Sequence, residues 1–353
     1  MIKQHRPAAA LVAALALALS IAAGAASAAT LTPVMRGLDN PRGLAFGPDG
    51  GLYVAEAGRG GDGPCVEGLG EGPACYGPTG ALSRLLDGQQ ERIATGLPSI
   101  AGPGGVAATG PHDVALQGRR AFVTVGLGGN PALRAGFGEA GEDLAQVVRV
   151  RPNGSWRSVA DLGAYEASAN PDGAPPDTNP YGILAGPGGR IVTDAGGNTL
   201  LLVGADGEIT TLAVFPSRSS GRPTDSVPTS VVRGPDGALY VGELTGGPYV
   251  AGLANVYRVV PGRGPEVFAG GFKTIIDIAF GPDGSLYVLD IASGIFGLNP
   301  PGRLLRVAPD GERTIVADEG LLFPSSVAVA DDGRIYVSNR GILPGGGEVV
   351  RID

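Results

Sequence analysis

The apolar positions of this chain come in short runs, and none forms a long helical stripe. "GLAFGPDGGLYVAE" (43–56) shows the unit: two apolar stretches around Gly-Pro-Asp-Gly. Such a pattern predicts a strand, a tight turn and a second strand, with Asp and Gly supplying the positive-φ positions the turn needs. The phrase returns as "RGPDGALYVGE" (233–243) and "FGPDGSLYVLD" (280–290). Aligning it along the chain gives six copies, starting at Pro41, Pro111, Pro180, Pro228, Ile275 and Pro324. After most copies a second hairpin follows, as in "VVRVRPNGSWRSVADL" (147–162) and "GRLLRVAPDGERTIVADEG" (302–320).

Four short strands per unit make a propeller blade. The copies start 70, 69, 48, 47 and 49 residues apart, which fits a repeat of about 40–50 residues with insertions in the first two units. Runs such as "VAVA" show little polar alternation, as strands buried on both faces do. The predicted fold class is all-β: a six-bladed β-propeller with four-stranded blades. The last unit stops after "GEVVRID", one strand short, while "TLTPVMRGL" (30–38) resembles the fourth strand "ERIATGL" (91–97). The ring is therefore expected to close by the N-terminal strand joining the last blade, which leaves no open sheet edge at the seam.

Composition supports this picture. The 62 Gly and 30 Pro exceed average usage and cluster between the apolar runs, as turns between strands do. At the N-terminus, Lys3 and Arg6 precede an Ala/Leu run from Ala8 to Ala23 and the small residues Ala26-Ser27-Ala28. This reads as a signal peptide over 1–28, with a single propeller domain over 29–353 and a secreted or periplasmic location. The run is shorter than the about 20 apolar residues of a membrane span, and no later segment is a candidate. Net charge is −8, or −10 once Lys3 and Arg6 are removed. With no Lys/Arg cluster along the sequence, nucleic acid is excluded as a partner, and a monomer is expected. Cys65 and Cys75 are the only cysteines; in an exported chain they are expected to form a disulfide.

Candidate chemistry lies at the strand ends. In each unit the two hairpin turns fall on one side of the ring. The other side receives the long insertions at 57–79, 126–145, 163–179 and 215–227, which makes it the expected binding face. The second strands end in Glu56, Val125, Asp194, Glu243, Asp290 and Asn339. The innermost strands begin with Arg42, His112 and Asp113, Tyr181, Thr229 and Ser230, Ile276 and Asp277, Ser325 and Ser326. From these come an expected ligand-binding set, Arg42, His112, Asp113, Tyr181 and Asp277, and a metal set, Glu56, Asp113, Glu243, Asp277 and Asp290. The metal set would hold one divalent cation, calcium first, through oxygen ligands. The alternative is structural: acids at strand ends accept hydrogen bonds from turn N–H groups, and a repeated fold repeats such a device. Asp113 and Asp277 stand out because other units have Gly or Ser at that position. His112 is the only His after the signal segment.

Other motifs are weak. "GRGGDG" (58–63) matches a dinucleotide-binding pattern but leads into Pro64 and Cys65, not into a helix. "NPDGAPPDTNP" (170–180) is oxygen-rich but lacks calcium-loop spacing and reads as a rigid loop. Nucleophile-elbow, zinc-protease and phosphate-loop motifs are absent from the sequence.

The runs "LDNPRGLAFGPDGGLYVAEAG", "TGPHDVAL", "SVPTSVVRGPDGALYVGELTG" and "FKTIIDIAFGPDGSLYVLDIASG" resemble the ScyD/ScyE family of exported proteins, and the similarity spans nearly the whole chain after the signal segment. Single "GPDGxLYV" units also occur in NHL and gluconolactonase-like propellers. The resemblance implies an exported six-bladed propeller and carries no catalytic residues. Two functions are compatible with these features. One is a binding or scaffold protein that recognises a small molecule, glycan or protein on its loop-rich face. The alternative is a metal-dependent lactonase or esterase-type hydrolase with a cation at the channel mouth, against which Arg42 stands where such enzymes carry a ligating Glu.

Overall fold

The computed structural model describes residues 29–353 except 70–71, 220–222 and 293–300. The expected signal peptide lies outside the described residues. Six antiparallel sheets of four or five strands follow one another along the chain, besides a two-stranded ladder of Arg218–Ser219 with Pro223–Thr224. The innermost strands are Pro41–Phe46, Pro111–Gln117, Pro180–Gly186, Pro228–Arg233, Ile275–Phe280 and Ser326–Val329. Each packs on the next, and the sixth packs on the first, so the sheets form a closed ring of six blades.

Closure occurs as the sequence predicts. Leu31–Leu38 pairs antiparallel with Gly347–Ile352 and supplies the outer strand of the sixth blade. Met35 and Leu38 bury their side chains at 1% and 0% exposure in the apolar cluster between blades 6 and 1. The other five seams hold comparable clusters. The core is therefore distributed between the blades, and each sheet is buried on both faces, which accounts for its weak polar alternation.

The repeated turn has one construction. In the first blade Gly47 N–H donates to Gly51 O at 2.8 Å, Asp49 Oδ1 accepts from Gly51 N–H at 3.1 Å, and Gly50 takes φ 78°. The same bonds recur around Asp236, Asp283 and Asp332, so the Asp and second Gly of the phrase are dictated by the turn.

In the first blade, the region expected as a loop to residue 79 is partly sheet. The third strand begins at Ala74, and Cys65 is disulfide-bonded to Cys75, its register partner across a two-residue ladder. Two short helices, a 3-10 helix over Pro131–Asp143 and an α-helix over Leu162–Ala169, occupy the loop side of the second blade.

Because Met35 ties the first and last segments together, Met35→Ala is expected to lower stability by about 2–5 kcal/mol, the range for a buried Met truncated to Ala. Denaturant unfolding would measure it, and a change under about 1 kcal/mol would show that this strand does not hold the ring.

Candidate functional site

Each repeat enters its innermost strand from the loop side, so the second and third residues of the six repeats form two stacked rings around the axis. The second-residue ring is Arg42, His112, Tyr181, Thr229, Ile276 and Ser325. The third-residue ring is Gly43, Asp113, Gly182, Ser230, Asp277 and Ser326.

These rings lace neighbouring blades together. From the second positions, His112 Nδ1 donates to Pro180 O at 3.0 Å, Thr229 Oγ1 to Ile275 O at 2.9 Å and Ser325 Oγ to Pro41 O at 2.6 Å. Each reaches the first residue of the next repeat. From the third positions, Asp113 Oδ2 accepts from Ile183 N–H at 2.8 Å, Asp277 Oδ2 from Val327 N–H at 2.9 Å and Ser326 Oγ from Leu44 N–H at 3.0 Å. Each reaches the fourth residue of the next repeat. Gly43 has no such option: a Cβ there would stand 2.6 Å from the Asp113 Cα.

All five residues of the expected ligand-binding set meet here. A carbonyl oxygen can only accept, so the bond to Pro180 O places the His112 proton on Nδ1 and leaves an Nε2 lone pair. Burial, then the charge of Arg42, pushes His112 down to about 3, and its ring lies 4.5 Å from that of Tyr181. Arg42 is 8% exposed; its Nη2 donates to Ala108 O at 2.8 Å, while Nε has no partner. Burial, then the charge of Asp277, raises Asp113 well above the usual carboxylate range. Burial lifts Asp277 to about 6.

Below these rings runs the central channel, a cavity of about 380 Å³. Its wall is the later part of the six innermost strands, including Leu44, Phe46, Val114, Ile183, Phe280 and Val329, with Asp113 and Asp277 at its inner end. Because those strands run toward the hairpin turns, the cavity extends to the turn side. On the loop side Arg42, His112, Thr229, Ile276 and Ser325, all under 9% exposed, narrow the axis. The ligand set thus stands at the expected end of the channel, but the space it faces opens the other way. The expected ligand set also left out Ser230, whose Oγ is buried without a hydrogen-bond partner, and Ser326, which donates to Asp277 Oδ2 at 2.5 Å. Both stand at the aligned position that singled out the two acids, so the signal was present.

The five-acid metal set does not assemble. Glu56 is 0% exposed and accepts from Asp39 N–H at 2.7 Å, Ser83 Oγ at 2.5 Å and Arg92 Nη2 at 2.7 Å. Glu243 accepts from Ser226 Oγ, Asn255 N–H and Arg218. Asp290 accepts from Thr274 N–H at 3.2 Å and Arg303 Nη2 at 2.7 Å. Each of the three is consumed inside its own blade. Among the described residues no three His, Cys, Asp or Glu side chains are placed to share a metal ion.

The 163–179 insertion holds a separate acidic group. Its helix is capped by Asp161, which accepts from Ala164 N–H at 2.8 Å. Glu166 on that helix is 2% exposed, and its Oε1 has no hydrogen-bond partner. Burial first, then Asp194 and Asp172, push Glu166 up to about 7. Asp172 accepts from Ala174 N–H and Asn198 Nδ2, so the oxygen-rich stretch is tied down by its own neighbours.

No family model matches the chain, and no curated protein matches it in sequence. Solved structures do match over most of its length. Virginiamycin B lyase from Staphylococcus aureus is 16% identical with a TM-score of 0.52, covering 89% of this chain and 83% of that one. A putative gluconolactonase is 12% identical with a TM-score of 0.53, covering 93% of each. Regucalcin from Agrobacterium tumefaciens, a calcium-binding protein, is 13% identical with a TM-score of 0.52, covering 92% and 93%. At such identities the likeness is one of fold: these neighbours are six-bladed propellers, and fold does not carry function.

Two measurements check the roles given to the acids. Glu56→Ala is expected to cost about 3 kcal/mol, the low end for breaking a buried pair, because Arg92, 39% exposed, can regain water. A cost below 1 kcal/mol by denaturant unfolding would free Glu56 from this structural role. Glu166 takes up its proton near pH 7 when folded and near its ordinary 4.5 when unfolded. The folded state therefore holds the extra proton between those values, and this group's contribution to stability declines as pH rises through that window. Glu166→Gln should gain stability on the wild type between about pH 4.5 and about pH 7, with a constant difference above that; a pH-independent difference in thermal melts would contradict the assignment.

Proposed function

We propose that this chain is an exported binding propeller, ScyD/ScyE-like, whose central channel receives a slender small molecule. That molecule has an apolar body and an end that donates hydrogen bonds, such as an amine or a hydroxyl. The observation that carries this reading is the cavity of about 380 Å³, lined mainly by aliphatic and aromatic residues, that ends on the carboxylates of Asp113 and Asp277. Ligand sites commonly combine apolar walls with a few convergent polar groups, at volumes of about 300–1,000 Å³. Each acid has spent lone pairs on backbone N–H groups, and a carboxylate offers about four acceptor positions. A donor from a ligand can therefore be added without breaking the inter-blade bonds. His112, neutral and stacked on Tyr181, and Arg42 close the inner end.

Export is supported by the Cys65–Cys75 disulfide, a bond typical of oxidising compartments, and by the sequence of residues 1–28. A calcium-dependent lactonase or esterase is the weaker reading. Among the described residues that line the cavity only Asp113 and Asp277 bring carboxylates to it, Arg42 stands in the ring above them, and the other acids of the expected cage are bound within their blades.

The test is a thermal-shift screen of amines and alcohols with apolar bodies on the full-length mature protein, followed by calorimetry. Ligands that bind should lose about tenfold or more in affinity to Asp277→Asn, since a hydrogen bond to a charged group contributes about 1.5–3 kcal/mol. Chelator and calcium should leave the melting temperature within about 1 °C. Chelator-sensitive hydrolysis of lactones or esters, lost in Asp113→Asn, would replace binding by hydrolysis.

A further inference from the structure

The second blade departs from its siblings in one electrostatic detail. In blades 1, 4 and 5, an arginine on the third strand sits on the Asp of the Gly-Pro-Asp-Gly turn: Arg84 on Asp49 at 3.0 Å, Arg258 on Asp236 at 2.7 Å and Arg306 on Asp283 at 2.7 Å. These arginines lie opposite Tyr53, Tyr240 and Tyr287 in the strand register. In blade 2 the matching residue is Arg149, opposite Phe122. Its turn, however, reads Gln117-Gly118-Arg119-Arg120: the acid is gone and two more cations stand there.

Two register relations make this a patch. Arg157 lies directly opposite Arg149 on the fourth strand. Ala121 lies opposite Val150, so Arg120 and Arg151 are the next residues along the same ladder. Like charges facing each other across strands are destabilising, yet among the described residues no carboxylate forms an ion pair with any of these arginines. Arg119, Arg120, Arg151 and Arg157 are exposed and Arg149 is half-buried. Arg119 and Arg151 also border a cleft of about 1030 Å³ between blades 1 and 2, which lies on the opposite face of the sheet from Arg149 and Arg157.

We infer that this face of blade 2 binds an acidic oligosaccharide, whose carboxylate or sulfate groups take the place of the missing turn Asp. Guanidinium forks match such groups through paired hydrogen bonds. Charge selects the occupant. The chain carries −8, so without these five arginines the remainder carries −13 (−8 − 5). A nucleic acid or an anionic bilayer would press dense negative charge against that remainder, whereas a short glycan with one charge per sugar can stay on the patch.

The experiment titrates the full-length mature protein with oligogalacturonate and with a sulfated dextran oligosaccharide at about 50 and 200 mM salt. Binding of at least one is expected, weakened by roughly ten- to a hundredfold at the higher salt as a few counterions are taken up again. The triple variant Arg120→Gln, Arg149→Gln, Arg157→Gln should lose about tenfold or more at the lower salt, with a melting temperature equal to or above the wild type because mutual repulsion is removed. Asp277→Asn should bind the glycan as the wild type does, which separates this face from the channel. Absence of binding at about 50 mM salt, or equal binding by the triple variant, would overturn the inference. So would tighter binding of an oligonucleotide of equal charge or of vesicles containing phosphatidylglycerol.

Discussion

Everything in this molecule depends on how six innermost strands are held side by side around one axis. The innermost strands of neighbouring blades lie in different sheets, so the seam cannot rely on a ladder of backbone bonds, and polar groups of the inner strands facing it would be costly to leave unpaired. Side chains at two positions supply partners. The second residue donates to a carbonyl of the next blade, and the third accepts from one of its N–H groups, as His112 and Asp113 do for Pro180 and Ile183. Where the backbones approach too closely for any side chain, as at Gly43 against Asp113, glycine replaces the bond with contact.

This lacing explains why the inner end of the channel carries carboxylates. A third-position acid reaches across a seam as well as Ser326 does, but it brings a carboxylate to the axis. Two of six blades carry one, and burial raises both toward their neutral forms, with the charge of Asp277 adding to the rise at Asp113. The same groups thus hold the ring and face the cavity. The acids that end the second strands act elsewhere, because each secures the loop leading into its own inner strand, Glu56 through Asp39 N–H and Asp290 through Thr274 N–H. They recur in most blades because that loop recurs.

Much of the architecture was legible because the repeat is a local code. The turn needs Asp then Gly, the second strand needs an acceptor at its end, and both are written within sixteen residues. The closing strand could be read from a missing fourth strand and a spare one at the other terminus. What could not be read was direction. The aligned repeat identifies which residues approach the axis, but not that Glu56, Glu243 and Asp290 turn back into their blades toward Arg92, Arg218 and Arg303. Those partners lie 36, 25 and 13 residues away on different strands, with no shared spacing. Nor does composition reveal the blade 2 arginines as a group, since Arg120, Arg149 and Arg157 become neighbours only through strand register.

A propeller built from repeats also provides its own control. Blades 1, 4 and 5 agree on a Tyr, a turn Asp and a third-strand Arg, so the energetics of that triad are fixed by the fold. Blade 2 keeps the Arg, replaces the Tyr with Phe122 and inverts the sign of the turn. The fold does not require that exchange, because blade 3 drops the Arg altogether and places Leu202 at the matching position opposite Ile191. An apolar pair was therefore open to blade 2 without loss of its sheet. Retaining several mutually repelling cations where a neutral solution exists is a cost to the folded state, and a bound anion is what would offset it.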